Sequence, residues 1–336
     1  MATVNRQIAL AARPVGLPQV SDFQLQYSPR PVAVAGEVLV RSVFLSLDPY
    51  MRGRMNAAAS YARPVAIGEV MTGGVVGLVV QSEAPEFREG DAVVGTLGWQ
   101  EYAVAPAREL RQVPFGAGSI SRALGVLGMP GLTAYFGLLD IANPRRGETV
   151  VISGAAGAVG MIAGQIARIQ GCRVVGVAGS DAKTAWLRDE LGFDAAFNYK
   201  TDDLDASLQE HCPDGIDVYF DNVGGAITDA VMRQINTGAR ISLCGQISQY
   251  NLVQPEMGPR WLGQLTVKQG RAQGFLISSY ADRFAEGLGR LNLWLKQGSL
   301  RYREDIAQGI EAAPQAFIGM LQGKNEGKQL VQLSES

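Results

Sequence analysis

The sequence predicts an α/β protein with two unlike units, a β-rich unit followed by a parallel sheet wound with helices. Two observations carry this prediction. Short alternating apolar runs, separated by glycine and proline, fill the first third of the chain, whereas strand-like and helix-like runs alternate from Glu148 onward. With 336 residues, the chain is also long enough for about two domains of ordinary size.

The β-rich unit is predicted from strand-like runs. Residues 36–48 alternate like a strand, residues 73–82 form another strand-like run, and residues 91–105 hold two further runs. Gly90-Asp91 supplies turn residues between them. Many short strands with little helix favour a β-barrel or a sandwich-like unit.

The second unit is predicted from its regular alternation. A segment with helical spacing at 121–144, interrupted at Met129-Pro130-Gly131, precedes it. Because strands that alternate with helices form parallel sheets with right-handed crossovers, we expect a Rossmann-type, doubly wound sheet. The strand-like runs lie at 148–153, 173–178, 194–199, 216–221 and 239–244, and the helix-like runs at 157–170, 182–191, 202–210 and 226–236.

The last third completes both units. A strand-like run at 265–277 and a helix at 280–297 follow the alternating part. The tail adds one helix and a final strand, which we expect to return to the β-rich unit. The sequence therefore predicts a cofactor domain at 123–299 and a substrate or catalytic domain made of 1–122 and 300–336.

Composition excludes several classes of protein. The formal net charge of −2 gives nucleic-acid binding no electrostatic support. Three scattered cysteines are too few for a disulfide framework and suit a reducing compartment. The apolar stretch at 66–80 is broken by Glu69 and by glycines, and the first residues lack a signal-peptide core. We expect a cytoplasmic protein that acts on a small molecule, with no membrane or nucleic-acid partner.

A glycine-rich turn lies between the first strand of the alternating part and its helix. It reads Ala155-x-Gly157-x-x-Gly160, one glycine short of the dinucleotide-binding pattern. Such a turn brings a pyrophosphate to backbone N–H groups and to the positive end of a helix. The alternative is a turn that only packs helix on strand. The crossovers that follow favour a dinucleotide site.

The next strand indicates which dinucleotide. NAD sites usually carry an acidic residue at its end, but here the strand ends in Gly179-Ser180. This small neutral pair leaves room for the 2′-phosphate of NADP, and Lys183 lies within reach of a phosphate. In the alternative, Asp181 holds the ribose and Lys183 is a solvated helix lysine. We favour NADP, because Asp181 is expected to cap its helix.

Several catalytic chemistries lack their residues. His211, the single histidine, follows a helix-like run, and the cysteines have no C-x-x-C spacing, so the usual zinc ligands are missing. Neither a nucleophile elbow nor a P-loop occurs in the sequence. Hydride transfer by a bound nicotinamide remains the best-supported reaction.

Motifs along almost the whole chain resemble one family. They are LSLDPYMRGRM, GVLGMPGLTAYFGL, GAAGAVG, FDNVGG, CGQISQYN and GKNEGK. Together they are similar to the zinc-independent branch of the medium-chain dehydrogenase/reductase superfamily, the NADPH-dependent alkenal and enone double-bond reductases that include prostaglandin and curcumin reductases. The resemblance implies a GroES-like β-barrel, a Rossmann domain and a homodimer through the edge strand near 265–277.

The resemblance also implies a set of cofactor contacts. Gly157 and Gly160 would lie under the pyrophosphate, and Lys183, Tyr199 and Ser180 would hold the 2′-phosphate. Asn222 and Asn325 would contact the cofactor from two sides. The remaining implied contacts are Met129 and Thr133 near the nicotinamide, together with Ala155, Ala158, Val159, Cys244, Gly245 and Ile247.

Tyr250 is the candidate for chemistry. It follows the strand at 239–244, at the carboxyl edge where ligands of such sheets bind. With a reference pKa of about 10, a phenol is a neutral donor near pH 7 and could stabilise an enolate oxygen or protonate the α-carbon. The alternative is an aromatic residue that only shapes the pocket. Tyr50 is a second candidate for the substrate pocket, with packing in the core as the alternative, and Arg52 and Arg54 are expected to be ion-paired at the domain junction.

The sequence thus predicts NADPH-dependent reduction of the C=C bond in enals and enones. A quinone reductase would share the fold and the cofactor. A non-catalytic NADP-binding protein is a further alternative, against which Tyr250, Asn222 and Lys183 argue.

Overall fold

The computed structural model describes residues 4–58, 60–114 and 118–335. It divides into two compact units, one formed by Met1–Leu124 with Glu304–Ser336 and the other by Gly125–Arg303.

The first unit is mainly β-structure. A short helix, α1, spans Tyr50–Arg54. Its first strands are β1 (Val4–Leu10), β2 (Phe23–Pro29), β3 (Glu37–Ser46), β4 (Gly74–Ser82), β5 (Ala92–Thr96), β6 (Tyr102–Pro106) and β7 (Arg111–Gln112).

The second unit alternates strands and helices, as predicted. It contains α2 (Met129–Phe136), β8 (Thr149–Ser153), α3 (Gly160–Ile169), β9 (Arg173–Ala178), α4 (Asp181–Asp189), β10 (Ala195–Asn198), α5 (Leu204–His211), β11 (Ile216–Asp221), α6 (Gly225–Arg233), β12 (Ile235–Leu243), α7 (Leu262–Val267), β13 (Arg271–Gly274) and α8 (Phe284–Lys296).

Six strands of the second unit form one parallel sheet in the order β10-β9-β8-β11-β12-β13. All five residues of β8 are buried, as expected for a central strand covered on both faces. The strand order reverses between β8 and β11, and ligands of such sheets bind at this point, outside the carboxyl ends of the strands.

The chain then returns to the first unit through β14 (Glu304–Gln308), α9 (Ala313–Leu321) and β15 (Lys328–Gln332). As predicted, the final strand β15 pairs with β3, in an antiparallel register. The seven-stranded sheet runs β14-β15-β3-β4-β5-β7, with β6 on β3. Phe317 of α9 packs edge-on against Trp99, with 5.7 Å between ring centroids, so the return segment contributes to the core of the first unit.

Three elements differ from the sequence-based expectation. Residues 265–277 do not form one strand. Leu262 and Leu265 are spaced as in a helical turn, and the segment around them forms the short helix α7. Gln269, at φ +50°, separates α7 from the short strand β13. Met129-Pro130-Gly131 begins α2 and does not interrupt a helix, because proline needs no N–H partner in a first turn. Strand β14 was not predicted.

These observations confirm the α/β class, with a β-rich first unit and a Rossmann-type second unit. The core of the first unit lies around Trp99 and α9, whereas that of the second lies on both faces of the parallel sheet.

Candidate functional site

The turn after β8 has the geometry of a phosphate-binding turn. Gly154 has φ +58°, and Ala155 is fully buried, with its N–H donating to the Val177 carbonyl oxygen at 3.0 Å. A Cβ on Gly160 would lie 2.3 Å from the Gly154 oxygen, and one on Gly157 would lie 3.2 Å from it. Only glycine fits at 160, while the alanine at 155 occupies the core without strain.

Ala158 and Val159 complete this turn and are half-buried, immediately before α3 begins at Gly160. The predicted start of this helix at residue 157 was therefore three residues early. Residues 157–159 form the bend that leaves the first N–H groups of α3 at the carboxyl edge of the sheet.

The helix after β9 is capped by a residue other than the one predicted. The Ser180 Oγ accepts from the Lys183 N–H at 3.3 Å, which makes Ser180 the N-cap of α4 and corrects the expectation for Asp181. Asp181 is the first residue of the helix, and its Oδ1 accepts from the Asn198 amide at 2.8 Å. The cap shifts because Ser180 is the residue in extended conformation.

Tyr199 and Lys200 cover the end of β9. A Cβ on Gly179 would lie 3.1 Å from Tyr199 Cε1 and 3.2 Å from Lys200 Cε, so the glycine permits this packing. The Lys200 Nζ is 5.9 Å from the centre of the Tyr199 ring. Burial raises the pKa of the Tyr199 hydroxyl, which therefore remains a hydrogen-bond donor.

This corner thus combines the Ser180 and Tyr199 hydroxyls with the Lys200 ammonium group, and neither Gly179 nor Ser180 at the strand end is acidic. Such a donor set fits the 2′-phosphate of NADP better than a bare ribose hydroxyl. Lys200 was not predicted from the sequence. Its position directly after Tyr199, at the end of a strand, was the available signal.

A buried carboxylate joins the central strand ends. Asp221, the last residue of β11, has no exposed surface, and its Oδ1 accepts from Ser153 Oγ at 3.1 Å and from the Tyr219 hydroxyl at 2.9 Å. The N–H groups of Val223 and Gly224 also donate to Oδ1, at 3.0 and 2.9 Å. Asp221 was not predicted as a site residue, although FDNVGG contains it.

Asn222 is held beside this network. Its amide nitrogen donates to the Ser153 carbonyl oxygen at 2.8 Å, and its backbone N–H donates to Ser153 Oγ at 2.9 Å. Both bonds fix the orientation of the amide at the carboxyl end of β8. Asn222 therefore lies next to the glycine turn, as a cofactor contact must.

The loop after β12 carries four of the predicted residues. The N–H groups of Cys244 and Gly245 donate to the Asp221 carbonyl oxygen at 2.9 and 3.0 Å, and the Ile247 N–H donates to that of Asn222 at 3.3 Å. Burial, together with the nearby Asp221 carboxylate, raises the pKa of the Cys244 thiol to about 12, so the thiol stays protonated.

Tyr250 ends the short 3-10 turn at Ile247–Gln249 in this loop. Its hydroxyl oxygen accepts from the Gln246 N–H at 3.2 Å and would lie 3.0 Å from a Cβ on Gly245. The structure therefore brings Tyr250, Asn222 and the glycine turn to neighbouring strand ends of one sheet.

Met129 and Thr133 lie one helical turn apart on α2, which packs against α3. Met129 is 38% exposed, whereas Thr133 is nearly buried. A partly exposed thioether at the start of the helix can contact a ligand, but the packing of α2 does not by itself place one there.

Two predicted residues belong to the first unit. Tyr50 begins α1, and its pKa is raised by burial and by the neighbouring Asp48 carboxylate. Asn325 donates from its amide nitrogen to the Gly327 carbonyl oxygen at 2.7 Å, which stabilises the turn before β15.

The two arginines near Tyr50 contact aromatic rings and a backbone carbonyl group. Arg54 lies over the rings of Tyr50 and Tyr61, 5.7 and 4.4 Å from their centres. Arg52 donates to the Gly16 carbonyl oxygen at 2.9 Å.

Metal ligands are not gathered in the part of the chain that the structure describes, where no group of three or more His, Cys, Asp or Glu side chains could hold an ion. His211 stacks on Phe197, with 6.0 Å between ring centroids. Within the same described ranges, no helix is both long and apolar enough to cross a membrane.

Comparisons with known proteins cover nearly the whole chain. A family model described as the N-terminal domain of oxidoreductase matches residues 6–113, and one described as zinc-binding dehydrogenase matches residues 158–292. The NADPH-dependent curcumin reductase of Escherichia coli is 45% identical, over 98% of this chain and 97% of its own. The NADP(+)-dependent 2-alkenal reductase of Nicotiana tabacum is 42% identical, over 98% of both chains.

A solved structure is similar throughout. The crystal structure of CurA from Vibrio vulnificus in complex with NADPH superposes with a TM-score of 0.95 at 49% identity, over 98% of this chain and 100% of the other. Fold, glycine turn and full-length similarity agree: the chain belongs to the medium-chain dehydrogenase/reductase superfamily of oxidoreductases.

Proposed function

We propose that this protein uses NADPH to reduce the C=C bond of α,β-unsaturated aldehydes and ketones. The observation that carries the proposal is that the loop after β12 holds Tyr250, while the neighbouring strand ends bear Asn222 and the glycine turn. The names of the curcumin and 2-alkenal reductases, both more than 40% identical to this chain, support the substrate class.

The cofactor assignment rests on residues of this chain. The turn at Gly157 and Gly160 leads into α3, whose first N–H groups can bind a pyrophosphate. Ser180, Tyr199 and Lys200 lie at the end of β9, with Lys183 on the helix that follows, where they would hold a 2′-phosphate. When bound, NADPH supplies the hydride that adds to the β-carbon of the substrate.

Tyr250 would act at the other end of the conjugated system. As the β-carbon gains a hydride, negative charge develops on the carbonyl oxygen, and a phenol O–H that donates to this oxygen stabilises the charge. The same group can give its proton to the α-carbon, which completes addition of H⁻ and H⁺ across the double bond. Because water can also donate a proton, loss of the phenol should slow turnover without stopping it.

The experiment that tests the activity is a substrate panel. The purified protein is mixed with NADPH or NADH and a 2-alkenal, a phenyl enone, curcumin or a quinone. Nicotinamide absorbance gives the rate, and mass spectrometry identifies the product. Saturated aldehydes and ketones are expected; oxidation of NADPH with the quinone alone would establish a quinone reductase, and binding without turnover would establish a non-catalytic protein.

We further propose roles for Tyr50 in substrate binding and for Asn325 in cofactor binding. Tyr50→Phe should raise the KM for the alkenal while the Kd of NADPH stays unchanged. Asn325→Ala should raise the Kd of NADPH and leave the KM for the alkenal unchanged, because its amide is expected to contact the cofactor. If either variant has unaltered constants, the role proposed for that residue is wrong.

The protein is also proposed to form a homodimer through β13. This strand ends the order of the parallel sheet, and Leu262 and Val267 of the preceding helix are 68% and 73% exposed. Light scattering should give the mass of a dimer. Changing both residues to Glu should shift the mass to that of a monomer, whereas Val15→Glu, at an 82% exposed position of the first unit, should not.

A further inference from the structure

We propose that Asp221 is a positioning residue for the cofactor: its buried carboxylate fixes Ser153, and through Ser153 it fixes the orientation of Asn222. The inference rests on the proposed function, because it concerns the residues that would contact NADPH.

The carboxylate is fully buried and is satisfied by donors. Four hydrogen bonds reach Oδ1, and Thr228 Oγ1 donates to Oδ2 at 2.7 Å. Burial and the adjacent carboxylate raise the pKa of Tyr219 well above its usual value, so its hydroxyl remains a donor. A buried carboxylate is tolerated only with such a complete set of partners, which also leaves it one orientation.

Ser153 transmits this orientation. Its hydroxyl donates its single proton to Asp221 Oδ1 and therefore turns its oxygen lone pairs towards the Asn222 N–H, which it accepts at 2.9 Å. The Ser153 carbonyl oxygen accepts the Asn222 amide nitrogen at 2.8 Å. This bond fixes which way the amide faces, so the amide oxygen and the second N–H are the groups that remain for a ligand contact.

The same residue supports the Tyr250 loop. The Asp221 carbonyl oxygen accepts from Cys244 and Gly245 at the start of this loop. Ser248 Oγ donates to the Val223 carbonyl oxygen at 2.6 Å, and the Val223 N–H is bound to the Asp221 carboxylate. Asp221 therefore connects the ends of β8, β11 and β12.

Two hydroxyls on the same carboxylate oxygen provide a matched test. Ser153→Ala removes the hydroxyl that connects Asp221 to Asn222. Tyr219→Phe removes a hydroxyl that contacts both Asp221 and Ser153 but leaves the bonds from Ser153 to Asp221 and Asn222 in place. Both side chains are buried, so both variants are expected to lower Tm. Loss of one positioned hydrogen bond should raise the Kd of NADPH about tenfold in Ser153→Ala, and Tyr219→Phe should leave it within about twofold.

Asp221 itself is tested by two changes. In Asp221→Asn, the N–H groups of Val223 and Gly224 can only donate, so they should hold the amide oxygen of the new side chain where Oδ1 now lies. Thr228 can turn its hydroxyl to accept from the amide nitrogen. This variant should therefore keep the Kd of NADPH within about threefold, whereas Asp221→Ala should raise it at least about tenfold.

Direct fluorescence titration with NADPH measures each Kd without turnover. Equal Kd values for Ser153→Ala and the unmodified protein would overturn the inference, as would equal losses in Ser153→Ala and Tyr219→Phe. If Asp221→Ala does not fold, the Ser153 and Tyr219 pair still decides the question. Failure of the unmodified protein to bind NADPH would instead refute the proposed function.

Discussion

The hydroxyl oxygen of Tyr250 accepts a hydrogen bond from the backbone N–H of Gln246, 3.2 Å away. The bond folds the loop after β12 back on itself and places the phenol against Gly245. Because the oxygen accepts in this contact, the contact does not use the phenol proton. This bond thus holds Tyr250 near the carboxyl edge of the sheet.

Tyr250→Phe should lower kcat for 2-alkenal reduction by roughly 10- to 100-fold, since it removes a donor to the developing oxyanion. The Kd of NADPH should not change, because the ring and the loop remain. Stopped-flow rates and fluorescence titration measure the two quantities. Tyr27→Phe, at a 65% exposed position in the first unit, is the control. An unchanged kcat would assign Tyr250 to pocket shape only.

Lys200→Ala and Lys183→Ala should each reduce the preference for NADPH over NADH about tenfold, because each removes a cation from the proposed phosphate corner. The readout is the Kd of 2′,5′-ADP compared with that of 5′-AMP. Lys296→Ala removes an exposed lysine elsewhere in the same unit and is the matched control. The loss should shrink at high salt, which screens exposed charges. An unaltered preference in both variants would remove the phosphate site from this corner.

Gly179→Asp should weaken NADPH binding without producing a good NADH enzyme. Its Cβ would lie 3.1 Å from Tyr199 and 3.2 Å from Lys200, so the two side chains must move before the new carboxylate can meet a ribose. Gly179→Ala separates the steric effect from the effect of charge. NADH binding as tight as the original NADPH binding in the Asp variant would contradict this explanation.

Gly160→Ala should destabilise the second unit by about 2 kcal/mol or more, because its Cβ would overlap the Gly154 oxygen, 2.3 Å away. Gly289→Ala is the matched control: it lies in α8, and a Cβ there meets nothing within 4 Å. That change should stabilise by up to about 1 kcal/mol through helix propensity. Urea denaturation measures the free energy of unfolding of both variants. If Gly160→Ala changes it no more than Gly289→Ala does, the turn can relax to accept a Cβ at 160.

The Glu148–Arg240 ion pair should make stability depend on pH. Burial alone would raise the pKa of Glu148, but the bonds from Arg240 and from the Arg145 N–H lower it below its usual 4.5. Because the pKa of Glu148 is lower in the folded than in the unfolded state, the ion pair stabilises the protein at any pH above the unfolded-state pKa. This contribution is lost as pH falls through the folded-state pKa. Arg240→Met should therefore reduce the loss of stability below about pH 4.5. If urea denaturation gives the unmodified protein and Arg240→Met the same dependence of unfolding free energy on pH, this explanation is wrong.

Much of the fold could be predicted from local patterns. The alternation of elements from β8 to β12 and the turn at Gly157 and Gly160 follow from side-chain period and from backbone space, which a short stretch of sequence encodes. The region after β12 was predicted poorly. There Leu262 and Leu265 suit either a short helix or a strand, and packing decides between them.

The sequence by itself determined the two-unit α/β class and the glycine-rich turn. It also determined that the second strand ends in Gly179-Ser180 and not in an acidic residue. Only the tertiary structure decided that Tyr199 and Lys200 pack against Gly179 and that Asp221 binds Ser153, 68 residues earlier in the chain. The physical reason is that hydrogen bonds and packing between distant residues depend on how strands are placed side by side. The side-chain period and the turn residues predict where strands and helices lie, but only the folded sheet brings the ends of its strands together.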